Sequence, residues 1–276
     1  MTYLFGRHIT VVADDIAFEG RGASGFRVDF SVSRTATKEP NKGQISIYNP
    51  SETQSIALSL SKRRPLVRIF AGYEGTTPML LGAGNAVRDG VNLEYSGSDR
   101  VLKIQFADGL RKYQGARAAL SIRGKVRLSE AITQLAAQIG LPVDLYLDEA
   151  DDPLIQNGLH LSGAARDVLD GLAASVKAGW SIQNGRLQLV GQRRTTRVLG
   201  RLFSYENGTL IQAPNPRGGA KCVFHVLLAA DVSPGVRFQV DAGPGRPGSG
   251  VWACTGVQHA GSNYGTMTST IEARRS

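Results

Sequence analysis

Two cysteines and four histidines are the residues of this 276-residue chain with the most recognisable chemistry. Cys222 with His225, and Cys254 with His259, offer a Cys₂His₂ set of the kind that holds zinc. Both pairs lie in segments whose alternation reads as strand. Successive strand residues face opposite sides, so the odd separations turn each pair apart unless a bulge intervenes. A Cys222–Cys254 disulfide is a second option, and buried free thiols are what two such cysteines ordinarily are. His8, His160, His225 and His259 have no Ser or Cys partner at a known spacing. The chain lacks G-x-S-x-G, H-E-x-x-H and a glycosidase-like pair of carboxylates. The loop GPGRPG at Gly243 to Gly248 spells the dinucleotide fingerprint G-x-G-x-x-G. That motif needs a helix after it to hold a pyrophosphate, whereas a β-alternating run follows here, so it reads as a hairpin loop. The acidic run Asp148, Glu149, Asp151 and Asp152 lacks the calcium-loop pattern and reads as a solvated connection. No catalytic, metal or cofactor-binding residue is assigned, and no cofactor is expected.

The elements that would have to position any such chemistry are short and mostly extended. Glycine is abundant, at 33 residues, and sits between brief alternating runs, which points to many turns and a β-rich fold. Phe26, Val28, Phe30 and Val32 alternate, as do Leu102, Ile104 and Phe106 after a turn at Ser96 to Asp99. In Pro40 to Ser51, Ile45 and Ile47 alternate with polar residues, and Pro50 stops the ladder. Ser51 and Gln54 have capping-box spacing for a short helix presenting Ile56, Ala57 and Leu60. Pro65 then opens a strand over Val67 to Phe70, and Gly72 to Gly75 turns the chain.

The character changes near residue 120. Ser129 precedes a helix with Ala131, Ile132, Leu135, Ala136 and Ile139 on one face, ended by Gly140 and Pro142. A strand follows over Leu141 to Leu147. Ser162 precedes a second helix carrying Ala165, Val168, Leu169, Leu172, Ala173 and Val176, ended by Gly179. Trp180 and Ile182, then Leu187 and Leu189, flank Asn184-Gly185, a strong two-residue hairpin signal. Leu-Ala-Ala occurs in both helices, as a duplicated helix-strand unit or as coincidence. Beyond residue 200, Val236, Phe238 and Val240 alternate, as do Val251, Ala253, Thr255 and Val257. The fold class is therefore mainly β with an α+β insert. The domains are 1–115, a first β-barrel-like domain; 116–199, an insert of two helix-strand units; and 200–276, a second β-barrel-like domain.

Composition bounds the partners. A formal net charge of +9 suits nucleic acid, an anionic lipid surface or an acidic protein face. The tightest basic clusters are Lys62, Arg63, Arg64 and Arg193, Arg194, Arg197, Arg201. Neither belongs to a helix-turn-helix, an RNP signature or a basic zipper. No apolar run is long enough for a membrane span, and the N-terminus lacks signal-peptide character, so folding in a cytoplasm is expected.

The order of these segments resembles the late-control-type and T4-like hub proteins of phage and phage-derived tail baseplates. The resemblance rests on PNKGQISIYNPSE (40–52), VRIFAGYEG (67–75), LKIQFADGL (102–110), LSEAITQLAAQIGL (128–141), GWSIQNGRLQLV (179–190), VLLAADVSPGVRFQV (226–240) and GVWACTGVQHAGSNYGTMTSTIEA (250–273). It implies a homotrimer whose two β-barrel-like domains per subunit, related to tail-tube folds, give a six-barrel ring. Such a ring joins the six-fold tail tube to the three-fold central spike. The implied partners are the tail tube or distal tail protein, the spike, and tape measure and wedge proteins. DNA would pass through the lumen without specific binding. The implied place is the virion tail baseplate, assembled in the host bacterial cytoplasm, and the implied role is not enzymatic. The sequence departs from the family where an acidic residue often follows His-x-Gly; here Ser262 follows His259, Ala260 and Gly261. Two other classes predict different behaviour. A basic DNA-binding protein would bind with a steep salt dependence. A β-rich cell-wall hydrolase or carbohydrate-binding module would need a site that the residues do not supply.

Overall fold

A computed structural model describes residues 6–22, 24–59, 64–109, 115–192, 194–218 and 220–276. Lys62, Arg63, Arg193, Leu60 and Leu110 therefore lie outside the described residues. The chain is 54% strand and 13% helix, mainly β with an α+β insert. Among the described residues no helix is long and apolar enough to cross a membrane.

The first region holds β1 (Arg7–Ala13), β2 (Ile16–Arg21), β3 (Ser24–Gly25), β4 (Val28–Thr35), β5 (Lys42–Tyr48), α1 (Glu52–Ser59), β6 (Leu66–Tyr73), β7 (Met79–Ser96) and β8 (Asp99–Ala107). Its strands run antiparallel in the order β4-β5-β8-β7-β6-β1-β2-β3. The period-two residues Val28, Phe30, Val32, Ile45, Ile47, Leu102, Ile104 and Phe106 meet in its core. Close strand packing explains Gly43, which stands opposite Phe106; a Cβ there would overlap the Phe106 ring. Helix α1 starts as expected, with the Gln54 N–H donating to Ser51 Oγ at 3.2 Å. Its buried side is Ser55 and Leu58, however, while Ile56 and Ala57 are exposed. The helix lies on β7, and the i, i+3 pair 55/58 meets that strand.

The insert holds β9 (Arg117–Ile122), β10 (Val126–Arg127), α2 (Leu128–Gln138), β11 (Val143–Tyr146), a 3₁₀ turn (Glu149–Asp151), β12 (Leu154–Ile155), β13 (Leu159–Ala164), α3 (Ala165–Ser175), β14 (Gly179–Gln183) and β15 (Arg186–Val190). Its strands pair only among themselves: β9 with β13, β10 with β12, and β11 and β14 on the two sides of β15. Its core, Leu128, Ile132, Leu135, Leu169, Leu172, Trp180, Ile182, Leu187 and Leu189 among others, is its own. Neither expected helix start is a serine cap. Ser129 is already inside α2, and Ser162 belongs to β13. The acidic run supplies the missing cap, because Asp152 Oδ1 accepts the Ser129 N–H at 2.8 Å and Oδ2 its hydroxyl at 2.8 Å. That run is thus structural rather than merely solvated, and Asp148 also pairs with Arg194. Helix α3 ends at Ser175 with Val176 as its C-cap, and the left-handed residue that turns the chain away is Lys177, with φ +54°, rather than Gly179, which already belongs to β14.

The last region holds β16 (Arg197–Ser204), β17 (Asn215–Pro216), β18 (Lys221–Leu227), β19 (Val236–Asp241), β20 (Gly250–Ser262) and β21 (Met267–Arg275). A second core gathers Phe203, Phe224, Val226, Phe238, Val240, Trp252, Val257 and Ile271. The two β regions share one 14-stranded sheet, because β20 pairs with β19 near its start, with β4 further on, and with β21 throughout. A register shift between Cys254 and Gly256 breaks the expected alternation of 251, 253, 255 and 257. Trp252, Cys254 and Val257 enter the core instead, and Val251 is exposed.

Candidate functional site

The bulge in β20 also reverses the expected separation of Cys254 and His259, since both are buried. It does not make a metal site: among the described residues no group of three or more His, Cys, Asp or Glu could hold an ion. Cys222 and Cys254 are buried free thiols. Burial pushes the Cys254 thiol up to about 12, against the opposing Arg34 charge, so it is not a thiolate near neutral pH. Burial pushes His259 down to about 3, and the Arg34 charge adds to that shift. Its Nδ1 lies 2.8 Å from Ser269 Oγ, whose oxygen also accepts the Ala229 N–H at 2.9 Å. His160 lies 2.8 Å from Ser121 Oγ, and His225 lies 3.1 Å from Thr270 Oγ1. None of these hydroxyl–imidazole pairs is completed by a carboxylate among the described residues, so none has the layout of a nucleophilic triad. The GPGRPG loop joins β19 to β20, and no helix follows it. Its Gly248 carbonyl accepts the Trp252 indole N–H at 2.8 Å.

The most concentrated buried polar chemistry lies where the insert meets the β body. After Val28, Phe30 and Val32, the next inward residue of β4 is Arg34, 5% exposed. Its Nε and one terminal nitrogen each donate to Gln183 Oε1 at 3.2 Å. Gln183 ends β14, and its Nε2 returns a hydrogen bond to the Thr35 carbonyl at 2.8 Å. Asn41 Nδ2 donates to the Ile182 carbonyl at 2.8 Å and to Gln183 Oε1 at 3.0 Å, while its Oδ1 accepts the Thr35 N–H at 3.0 Å. Asp108, just past β8 and 3% exposed, accepts the Gly185 N–H at 2.8 Å and the Asn184 N–H on its other oxygen. The Asn184-Gly185 turn, with φ +52° and +79°, is the hairpin turn its sequence predicts. That conformation aims two successive N–H groups at one carboxylate.

Burial pushes Asp108 up to about 6, against the Gly185 and Asn184 N–H groups, Arg34 and Asn41. Burial also lowers Arg34 from its ordinary value, opposed by Asp108 and Cys254. The two charges share no direct salt bridge; the amides of Asn41 and Gln183 stand between them. Sequence reading found the Asn184-Gly185 turn but not its carboxylate. The available signal was Arg34, a cation at an inward phase of a core strand, which requires a polar partner.

The sheet also has surfaces suited to assembly. Among the described residues its ends are β3, β17 and β16. Strands β3 and β17 are two residues long, and β17 ends in Pro216. Strand β16 has eight residues, pairs on one side with β19 across a register shift between Val198 and Leu202, and exposes Val198 at 62% and Leu202 at 38%. Beyond that shift the Leu202 carbonyl and the Ser204 N–H are met by the Asn207 and Thr209 side chains. Leu202 lies in register with exposed Gln239, and Gln239 with exposed Val251, so two apolar side chains flank a polar one on this face. A long open edge with apolar side chains is a template for another strand.

No known protein family profile and no curated protein matches this sequence. Solved structures do resemble it. A 43 kDa tail protein of prophage MuSo2 from Shewanella oneidensis superposes with a TM-score of 0.67 at 8% identity, covering 98% of each chain. The tail protein from Neisseria meningitidis MC58 gives 0.65 at 12% identity, covering 98% of this chain and 97% of that one. The E. coli c3393 protein gives 0.58 at 10% identity, over 96% of this chain and 76% of that one. It is described as a type VI secretion component with structural similarity to the T4 tail proteins gp27 and gp5. The chain has the fold of these tail proteins over nearly its whole length.

Proposed function

We propose that this chain is a structural, non-enzymatic subunit of a phage or phage-derived tail baseplate, and that three copies form its hub. Its domains are 1–115, 116–199 and 200–276, the second boundary falling within β16, which goes with the last β region, and the two β-rich ones alternate around the ring. The hub joins the six-fold tail tube or distal tail protein to the three-fold central spike, beside tape measure and wedge proteins. DNA passes through its lumen without specific binding. The observation that carries the reading is β16: a sheet of tail-protein fold whose other described edges are cut short keeps this strand unpaired on its outer side up to Leu202. Edge pairing through β16 would bury Val198 and Leu202 and satisfy the backbone groups that precede Leu202. The test is light scattering on Val198→Asp and Leu202→Asp variants. Both are exposed, so folding should survive while the oligomer dissociates. Assembly unchanged in both variants would remove β16 from the interface.

A further inference from the structure

We propose that the insert is a separately cored module clamped to the β body by the Asp108 cluster, and that it reorients as a unit when the clamp opens. Its core is drawn wholly from residues 118–189, and none of its strands joins the large sheet. The two β regions behave differently: Leu228 and Met267, from the last region, pack into the first core. The buried hydrogen bonds between insert and body gather at one turn, where the Ile182 side chain also packs on Gly109. Asp108 holds Asn184 and Gly185, Arg34 holds Gln183, and Asn41 holds the Ile182 carbonyl. Among the described residues, contacts outside it include the exposed Lys38–Asp170 pair at 2.7 Å, Arg274 donating to the Gln192 carbonyl at 2.7 Å and the Thr196 N–H donating to the Gly235 carbonyl at 2.8 Å.

Such a clamp is all-or-none. Its members are buried and satisfy one another, so removing one strands the others and favours opening of the whole. There is room for the motion. A cleft of about 580 Å³ opens beside Asp108, with Leu66, Leu80 and Ala83 from the body and Leu141 from the insert on its walls. Apolar walls left apart by a cleft supply no core to hold the insert in a single orientation.

The test is a spin-label distance measurement on the full chain. Labels go on exposed Ser98 of the body and exposed Ala174 of the insert, and Cys222 and Cys254 are buried. Wild type should give one narrow distance. Asp108→Ala should add a second population or broaden the first, while α2, α3 and β15 amides keep their protection from hydrogen exchange. Gln183→Ala attacks the same clamp from the insert side and should reproduce the effect. A narrow, unchanged distance in both variants would overturn the proposal. So would loss of insert and body protection together in both, which would make the junction part of one core.

Discussion

Replacing Asp108 with Asn is expected to tilt the chain's stability upward with pH between about pH 4 and 6, relative to wild type. The folded-state value of about 6 lies above the ordinary 3.8, so the folded chain binds the proton more tightly. Wild type therefore has this contribution in full below about pH 4 and loses it as pH rises through about 6. A shift of that size is about 3 kcal/mol in all, or about 1.4 kcal/mol per pH unit across the window. His259 works in the opposite sense. Its value of about 3 lies below 6.5, so its contribution is present above about 6.5 and is lost as pH falls. Between pH 4 and 6 the two slopes oppose each other, and wild type conceals both. Urea unfolding at several pH values, with each variant compared against wild type, separates them. The Asp108→Asn difference should climb by about 1.4 kcal/mol per pH unit, and the His259→Gln difference should fall by the same amount. Other groups, such as His8 and Asp144, cancel in these differences. A flat Asp108→Asn difference across the window would refute the buried, proton-linked carboxylate.

Three further outcomes follow from packing and charge. Gly43→Ala should cost about 1–3 kcal/mol in a denaturant melt, because its Cβ meets Phe106; pairing it with Phe106→Leu should recover part of the loss. Full retention of stability in Gly43→Ala would contradict the close approach of β5 and β8. Cys222 and Cys254 should resist a thiol reagent until the chain unfolds, since both are buried and burial raises both thiols. Rapid labelling of the native protein would count against that. Asp152→Ala should destabilise α2 by about 1 kcal/mol, seen as faster exchange in its first turn, because it removes the carboxylate that accepts the Ser129 N–H.

Much of the fold was legible because local pattern and tertiary role coincide. Val28, Phe30 and Val32 alternate in the sequence and line one core, and Asn184-Gly185 both spells and makes a hairpin turn. The misreadings occur where one residue changes the phase or a distant group does the work. The shift after Cys254 carries no local signal, yet Trp252 and Cys254 enter the core with Val257 while Val251 is exposed. Helix α1 buries Ser55 rather than Ile56 because the position of β7 sets its contact face. The α2 cap comes from Asp152, far along the chain from Ser129. The junction is hard to read for the same reason. Arg34 signals a buried partner by its inward phase, but Asn41, Asp108 and Gln183 are unremarkable singly, and only the docking of the insert turn joins them.

The proposed ring-building role is tested most directly by native mass spectrometry of the purified chain across a concentration series, alone and with a candidate tail-tube protein. Three copies of the 29.5 kDa chain should appear as a species of about 88 kDa that grows with concentration. A monomer alone, or a dimer, under every condition would contradict the account.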